Sequence, residues 1–216
     1  MAKATTLSFE FYPPQTKEGV IKLKQTAKDL NQYNPEFFSV TFGAGGSTKE
    51  KTLDTVLELR KLGFNATPHI SCISSSKTEI KELLDKYKSH KINHLVALRG
   101  DNPSGSINFG ELNYANELVS FIKSEMGNTF KIDVGAYPEV HPESDTAKLD
   151  FINFKNKVEA GADSAITQFF YNIDAYFKFM DECQKYSINI PIIPGIMPIY
   201  NSKQLIRFAN NCGAEI

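Results

Sequence analysis

Residues 66–98 read ATPHISCISSSKTEIKELLDKYKSHKINHLVAL, and this stretch decides the fold. It opens on a β-rich run that begins near Ala66 and closes on another that begins near His94. Between them, Ile80, Leu83, Leu84 and Tyr87 recur at the spacing of one helix face. A strand, a crossover helix and a second strand within about 30 residues make a βαβ unit, whose two strands are expected to run parallel.

The same alternation extends in both directions. Strand-like runs begin near Leu7 (LSFEFY), Phe37 (FFSVTF), Lys131 (KIDVGAY), Ser164 (SAITQFF) and Ile190 (IPIIPGIM). Helical spacing joins Val20, Leu23, Ala27 and Leu30, and again Phe151, Phe154 and Val158. Ser47-Thr-Lys-Glu50 reads as a capping box for the second helix, Gly63 and Gly161 stand where helices should end, and Asn201-Ser202 can cap the seventh. Near-continuous apolar strands predict a parallel sheet buried on both faces, either closed as a (β/α)8 TIM barrel or open and doubly wound. Glu10, Thr41, His69, Arg99, Asp101, Tyr137 and Gln168 lie at or just beyond the C-terminal ends of different strands, and convergence on one rim favours the barrel.

The 216 residues carry a formal charge of −1, so neither nucleic acid nor an anionic membrane is an expected partner. Hydrophobic residues make up 41% of the chain, enough for a sizeable core, and no apolar run reaches the roughly 18 residues of a membrane span. Cys72, Cys183 and Cys212 are odd in number and lack CxxC spacing, which predicts a reducing, cytoplasmic setting rather than a disulfide framework or structural zinc. No linker divides the sequence, and the irregular stretch 101–110 after the fourth strand is expected to contact ligand.

Several residues could carry chemistry. Glu10, between aromatics in FEFYPP, reads either as a carboxylate paired with Arg99 or as a general acid kept protonated by apolar neighbours. In Arg99-Gly100-Asp101, the guanidinium can hold phosphate and the carboxylate can accept from a heterocycle N–H. Tyr137, Glu139, His141 and Glu143 crowd one loop. A metal site with His69 or His94 as third ligand, serving a hydrolase, is conceivable, but without a local HExxH pair His141 is better read as a hydrogen-bond donor to a ligand. Asp150, Asn153 and Lys157 share one helix face, either as a solvated surface or, if turned to the rim, as partners for a ribose and a pyrophosphate. Gly43-Ala-Gly-Gly-Ser47 can bind an anion at a helix N-terminus but is neither GxGxxG nor a Walker A sequence.

In order along the chain, FEFYPP, SVTFGAGGST, PHISC, HLVALRGD, YPEVHPES, AGADSAITQFFYN and PIIPGIMPI resemble the catalytic domain of the methylenetetrahydrofolate reductase family. The resemblance implies a (β/α)8 barrel over residues 1–216 that binds FAD noncovalently and uses NADH or NADPH to reduce 5,10-methylenetetrahydrofolate to 5-methyltetrahydrofolate, a step of one-carbon metabolism and methionine biosynthesis. It further implies that Glu10 is the general acid of ring opening and that Asp101 is the carboxylate near flavin and pterin. Gln168 would orient the folate and Phe208 would pack on it. FAD would be contacted by Thr41, His69, Arg99, Gly100, Asp101, Tyr114, Ala115, Tyr137, His141, Asp150, Asn153 and Lys157. No metal is implied, and the family points to a homo-oligomer. Strand starts about 30 residues apart place an eighth start near position ~220, so the expectation is a barrel truncated before its eighth βα unit. A barrel that binds flavin and folate without full turnover is the alternative.

Overall fold

The computed structural model describes residues 6–42, 49–100 and 110–216. Seven strands and seven α-helices alternate through them: β1 (Ser8–Phe11), α1 (Lys17–Leu30), β2 (Phe37–Val40), α2 (Lys49–Lys61), β3 (Ala66–Ser71), α3 (Lys77–Ser89), β4 (His94–Leu98), α4 (Ala115–Met126), β5 (Lys131–Ala136), α5 (Ala147–Glu159), β6 (Ser164–Thr167), α6 (Ile173–Lys185), β7 (Ile192–Ile193) and α7 (Ser202–Cys212). Each strand pairs in parallel with the next in sequence, giving the order β1-β2-β3-β4-β5-β6-β7. Right-handed crossovers between consecutive neighbours put every helix on the same face, so the sheet curls as in a TIM barrel rather than opening into a doubly wound layer.

Helix ends follow local chemistry. The Thr16 hydroxyl accepts from Gly19 N–H at the start of α1. At α3 the Ser76 hydroxyl accepts from Glu79 N–H while the Glu79 carboxylate accepts from Ser76 N–H, a reciprocal capping box. Asn201 caps α7 through Gln204 N–H, as its position suggested. Gly63 and Gly161 follow α2 and α5 with φ of +84° and +110°, again as expected. The predicted box at Ser47 lies outside the described residues.

The strands depart from expectation in one respect: they alternate. Phe38, Val40, Ala66, Ile70, Leu95, Ala97, Ile132, Val134 and Ala165 point outward into one continuous core with Leu23 and Ala27 of α1, Val56 and Leu59 of α2, Leu84 and Tyr87 of α3, Leu118 and Ile122 of α4, and Phe154 of α5. The intervening positions include the buried polar residues Ser39, Thr67, His69, Asp133 and Ser164. Only the outward face is continuously apolar; the concave face mixes these polar groups with apolar side chains such as Phe37 and Val96.

At the foot of this concave face the polar groups satisfy one another. His94, the first residue of β4, has Nδ1 3.2 Å from the Thr67 hydroxyl and Nε2 2.8 Å from the Asp133 carboxylate. The Ser164 hydroxyl donates to the other Asp133 oxygen, and Phe37 meets the His94 ring edge-on at 4.7 Å. Burial works to raise the Asp133 pKa, but the hydrogen bonds from His94 and Ser164 outweigh it and hold the carboxyl below its ordinary value. His94 is thus committed at the end of the sheet away from the rim and is not a third metal ligand. Asp133→Ala strands these buried partners and is expected to cost about 3–5 kcal/mol, read as a lowered urea midpoint with an unchanged m-value.

Candidate active site at the C-terminal rim

Register brings the rim residues together. Glu10 of β1 lies opposite Ser39, and Ser39 lies opposite Thr67. His69 stands two residues beyond Thr67 on the same concave face of β3. The His69 ring is buried, with Nε2 3.4 Å from the Glu10 carboxylate but not aligned with any hydrogen-bond partner among the described residues. Burial lowers the His69 pKa to about 4, so the ring is neutral near pH 7. The Glu10 side chain is half open to the mouth of the concavity, yet desolvation by the surrounding protein raises its pKa. The contact is therefore between two groups that both resist charge, and not an ion pair. The proposed Glu10–Arg99 pair does not form: Arg99 is bridged instead to Glu143 at 2.5 Å, fastening the loop after β5 to the end of β4.

Gly100 follows Arg99 with φ +86°, and a Cβ there would stand 2.8 Å from Ile73 Cγ2 and 2.9 Å from Ser71 Oγ. The residue is glycine because the β4 exit crosses the β3 exit closely, a packing reason distinct from access for a ligand. Thr41, just past β2, donates its N–H to Phe11 O and accepts the Thr52 hydroxyl on its carbonyl, while its own Oγ1 is buried without a partner among the described residues.

The loop after β5 and helix α5 form the second half of the rim. Tyr137 and His141 meet edge-on at 4.5 Å, and His141 N–H donates to the Asp150 carboxylate in the first turn of α5. Lys157 Nζ donates to Gly135 O at 2.6 Å and sits 5.9 Å from the Tyr137 ring centre. Burial lowers the Lys157 pKa to about 8 against the opposing pull of Asp150, and burial likewise raises Asp150. Their mutual attraction does not overcome desolvation for either one. Asn153 of the same face is exposed.

Tyr114 and Ala115 open α4 beside Cys72, whose thiol lies 3.7 Å from Tyr114 O, and the Tyr114 side chain is largely exposed. Gln168 follows β6 and its Oε1 accepts from Phe169 N–H. Phe208 of α7 packs at the edge of a small second cluster built on Phe169, Leu205 and Ala209. Asp101 and the glycine run 43–47 lie outside the described residues. The sequence pattern singled out Glu139 and Glu143 but gave no partner for either: Glu143 bridges to Arg99, while Glu139 Oε2 accepts from Glu215 N–H and its Oε1 is buried without a hydrogen-bond partner among the described residues. Among the described residues no cluster of three His, Cys, Asp or Glu is placed to hold a metal ion, and no helix is long and apolar enough to cross a membrane.

Gly100→Ala combines a strained φ with a clash at the rim. It is expected to cost about 1–3 kcal/mol, read as a lower Tm by calorimetry, whereas Gly63→Ala, where nothing lies within 4 Å, should carry only the cost of its positive φ.

Comparisons with known proteins agree with this geometry. A solved structure from Clostridium thermocellum, described as an uncharacterized protein that binds two copies of 5-methyl-5,6,7,8-tetrahydrofolic acid, superposes with a TM-score of 0.66 over 99% of this chain and 73% of its own, at 14% identity. A 3-dehydroquinate dehydratase from Geobacillus kaustophilus superposes at 0.56 over 90% of this chain and 75% of its own, at 11% identity. At such identities these likenesses show the fold alone. Sequence is more specific: the chain is 43% identical to the 5,10-methylenetetrahydrofolate reductase of Buchnera aphidicola subsp. Schizaphis graminum, across 97% of this chain and 70% of the relative. It is 41% identical to the enzyme of the same name from Escherichia coli K12, with the same coverage. It is 38% identical to methylenetetrahydrofolate reductase (NADH) 1 of Arabidopsis thaliana, over 98% of this chain and 38% of that one. With the family model for methylenetetrahydrofolate reductase matching residues 1–216 as well, the chain belongs to the methylenetetrahydrofolate reductase family.

Proposed function

We propose that this chain reduces 5,10-methylenetetrahydrofolate to 5-methyltetrahydrofolate at the expense of NADH or NADPH, with FAD held noncovalently at the rim. The observation that carries the reading is Glu10, a carboxyl whose pKa is raised beside a neutral His69 at the mouth of the concave face, in a family whose named substrate must take up a proton when its bridging ring opens. Relatives named as reductases favour turnover over a barrel that only binds.

The residues fit a noncovalent flavin. Among the described residues Thr41 Oγ1 and His69 Nε2 are buried polar atoms without a hydrogen-bond partner, and Lys157 is a partly buried cation that Asp150 compensates only in part. Polar ring atoms and a diphosphate would complete them. Thr41, His69, Arg99, Gly100, Asp101, Tyr137 and His141 would line the flavin, Tyr114 and Ala115 would flank it, and Asp150, Asn153 and Lys157 would take its ribose and phosphate end. When bound, FAD supplies two-electron hydride chemistry between nicotinamide and folate. The chain supplies the rest. Glu10 gives its proton to the ring nitrogen that departs from the bridging carbon, leaving that carbon electrophilic, so that one hydride and one proton together balance the reduction to a methyl group. Gln168 and Phe208 orient the pterin, and Asp101 would stand near flavin and pterin. The same reading takes the seven strands as units of a (β/α)8 barrel domain and the free thiols of Cys72, Cys183 and Cys212 as fitting a cytoplasmic, oligomeric enzyme.

Anaerobic titration tests the reading. The flavin-loaded protein should bleach with NADH and regain its oxidised spectrum on addition of methylenetetrahydrofolate; Glu10→Gln should bleach normally but lose the second step by about 10²–10⁴-fold. Equal loss of both steps would count against the general-acid role. Because Glu10 acts protonated and its pKa is raised, the folate step should fall as pH rises through that pKa, with no matching limb in the NADH step. Lys157, at about 8 before flavin binds, should gain charge opposite a diphosphate. Calorimetry above pH 8 in buffers of different ionisation enthalpy is therefore expected to show proton uptake on FAD binding, with affinity weakening as pH rises, and Lys157→Met should remove the uptake.

A further inference from the structure

Glu143 touches the rim in two ways and has no part in the chemistry proposed above. Its carboxylate meets Arg99 Nη2 at 2.5 Å, and its own backbone N–H donates to His141 Nδ1 at 3.1 Å. The first contact settles where the guanidinium lies. The Arg99 backbone is already pinned to the β3 exit, since its carbonyl accepts from Ile73 N–H and lies 3.6 Å from the Cys72 thiol. Its side chain is the movable part, and with Nε donating to Gly100 O at 3.2 Å and Nη2 on Glu143 the planar group is fixed at two nitrogens. The second contact settles the state of a ring. A peptide N–H can only donate, so His141 Nδ1 must accept, and the single proton of the neutral imidazole falls on Nε2. Burial holds the His141 pKa below its ordinary value, which keeps the ring neutral near pH 7. The segment carrying both contacts is itself braced, by Ser144 N–H on His141 O and by His141 N–H on the Asp150 carboxylate.

Stability alone does not account for the bridge. The Glu143 side chain is 52% exposed and that of Arg99 25%, and a pair so open to water adds little to folding. It does join the exits of β4 and β5, and both of its partners are residues that the flavin reading needs as donors. We infer that Glu143 is a positioning residue for the flavin: it presents Arg99 as a fixed cation and His141 as an Nε2–H donor, and acts on the cofactor only through these two. The inference rests on the flavin reading and adds to it a residue with no contact of its own to the ligand. Without the carboxylate, binding must first order a long side chain, so affinity falls although no contact to the flavin is removed. Simple charge gives the opposite sign, because deleting an anion near an anionic diphosphate would tighten FAD. The direction of the change therefore separates positioning from bulk electrostatics.

The test is a double-variant cycle on FAD binding to the flavin-free protein, followed by flavin fluorescence. Glu143→Ala should raise the FAD Kd about five- to tenfold in the otherwise unchanged chain, but less than about twofold where Arg99 is already replaced by alanine. Glu143→Gln keeps an oxygen that accepts from the guanidinium and should recover most of the loss. The flavin-free Glu143→Ala protein should melt within about 3 °C of the wild type, which sets the effect apart from a loss of fold. Histidine nitrogen NMR of the flavin-free wild type at about pH 8, with His141 assigned by the signals that vanish in His141→Gln, should show Nε2 protonated and Nδ1 bare. Tighter or unchanged FAD binding in Glu143→Ala, an equal loss in the Arg99→Ala background, no recovery in Glu143→Gln, or a proton on His141 Nδ1 would each overturn the role. Failure of the wild type to bind FAD at all would instead overturn the flavin reading, and this use of Glu143 with it.

Discussion

The structure depends on the division of each strand into an apolar and a polar side. In a parallel sheet whose neighbours follow one another in sequence, all crossover helices gather on one face and the sheet must curl around the other. Residues such as Ile70, Leu95, Ile132 and Val134 meet the helices in one core. Their neighbours Thr67, His69, Asp133 and Ser164 are thereby driven into the concave interior, where water is scarce and every donor and acceptor needs a partner. Stability and chemistry thus follow from the same alternation.

The interior treats its polar groups differently at its two ends. Toward the strand N-termini, His94, Asp133, Thr67 and Ser164 satisfy each other and form a closed network. At the C-terminal rim the groups are left incomplete: among the described residues His69 Nε2 and Thr41 Oγ1 lack hydrogen-bond partners, Glu10 is pushed toward its neutral form, and Lys157 toward losing its charge. Unmet polar capacity costs stability in the protein alone and is recovered when a polar ligand supplies the missing contacts. The contrast between the ends is what supports the rim as the binding end in the proposed function.

Much of this was legible in the chain. The repeat length, the helix faces, the caps at Asn201, Gly63 and Gly161, and the placement of Glu10, His69, Arg99 and Gln168 at strand ends are local properties, set by spacing along the backbone. Less legible was which rim residue meets which. Arg99 was a natural partner for Glu10, yet it bridges to Glu143, because the β5 loop folds back over β4 by an amount that loop sequence does not encode locally. His94 looked available to a metal until register placed it at the foot of the sheet against Asp133.

What the sequence determined by itself was the βα repeat, the parallel pairing it entails, and the family, since these rest on short-range periodicity and on ordered motifs that survive without coordinates. What only the tertiary structure decided was the electrical state of the site. The neutral His69, the raised Glu10 and the weakened Lys157 arise from burial by segments far apart in the chain, and desolvation is a property of the assembled surroundings, not of any residue or its neighbours in sequence.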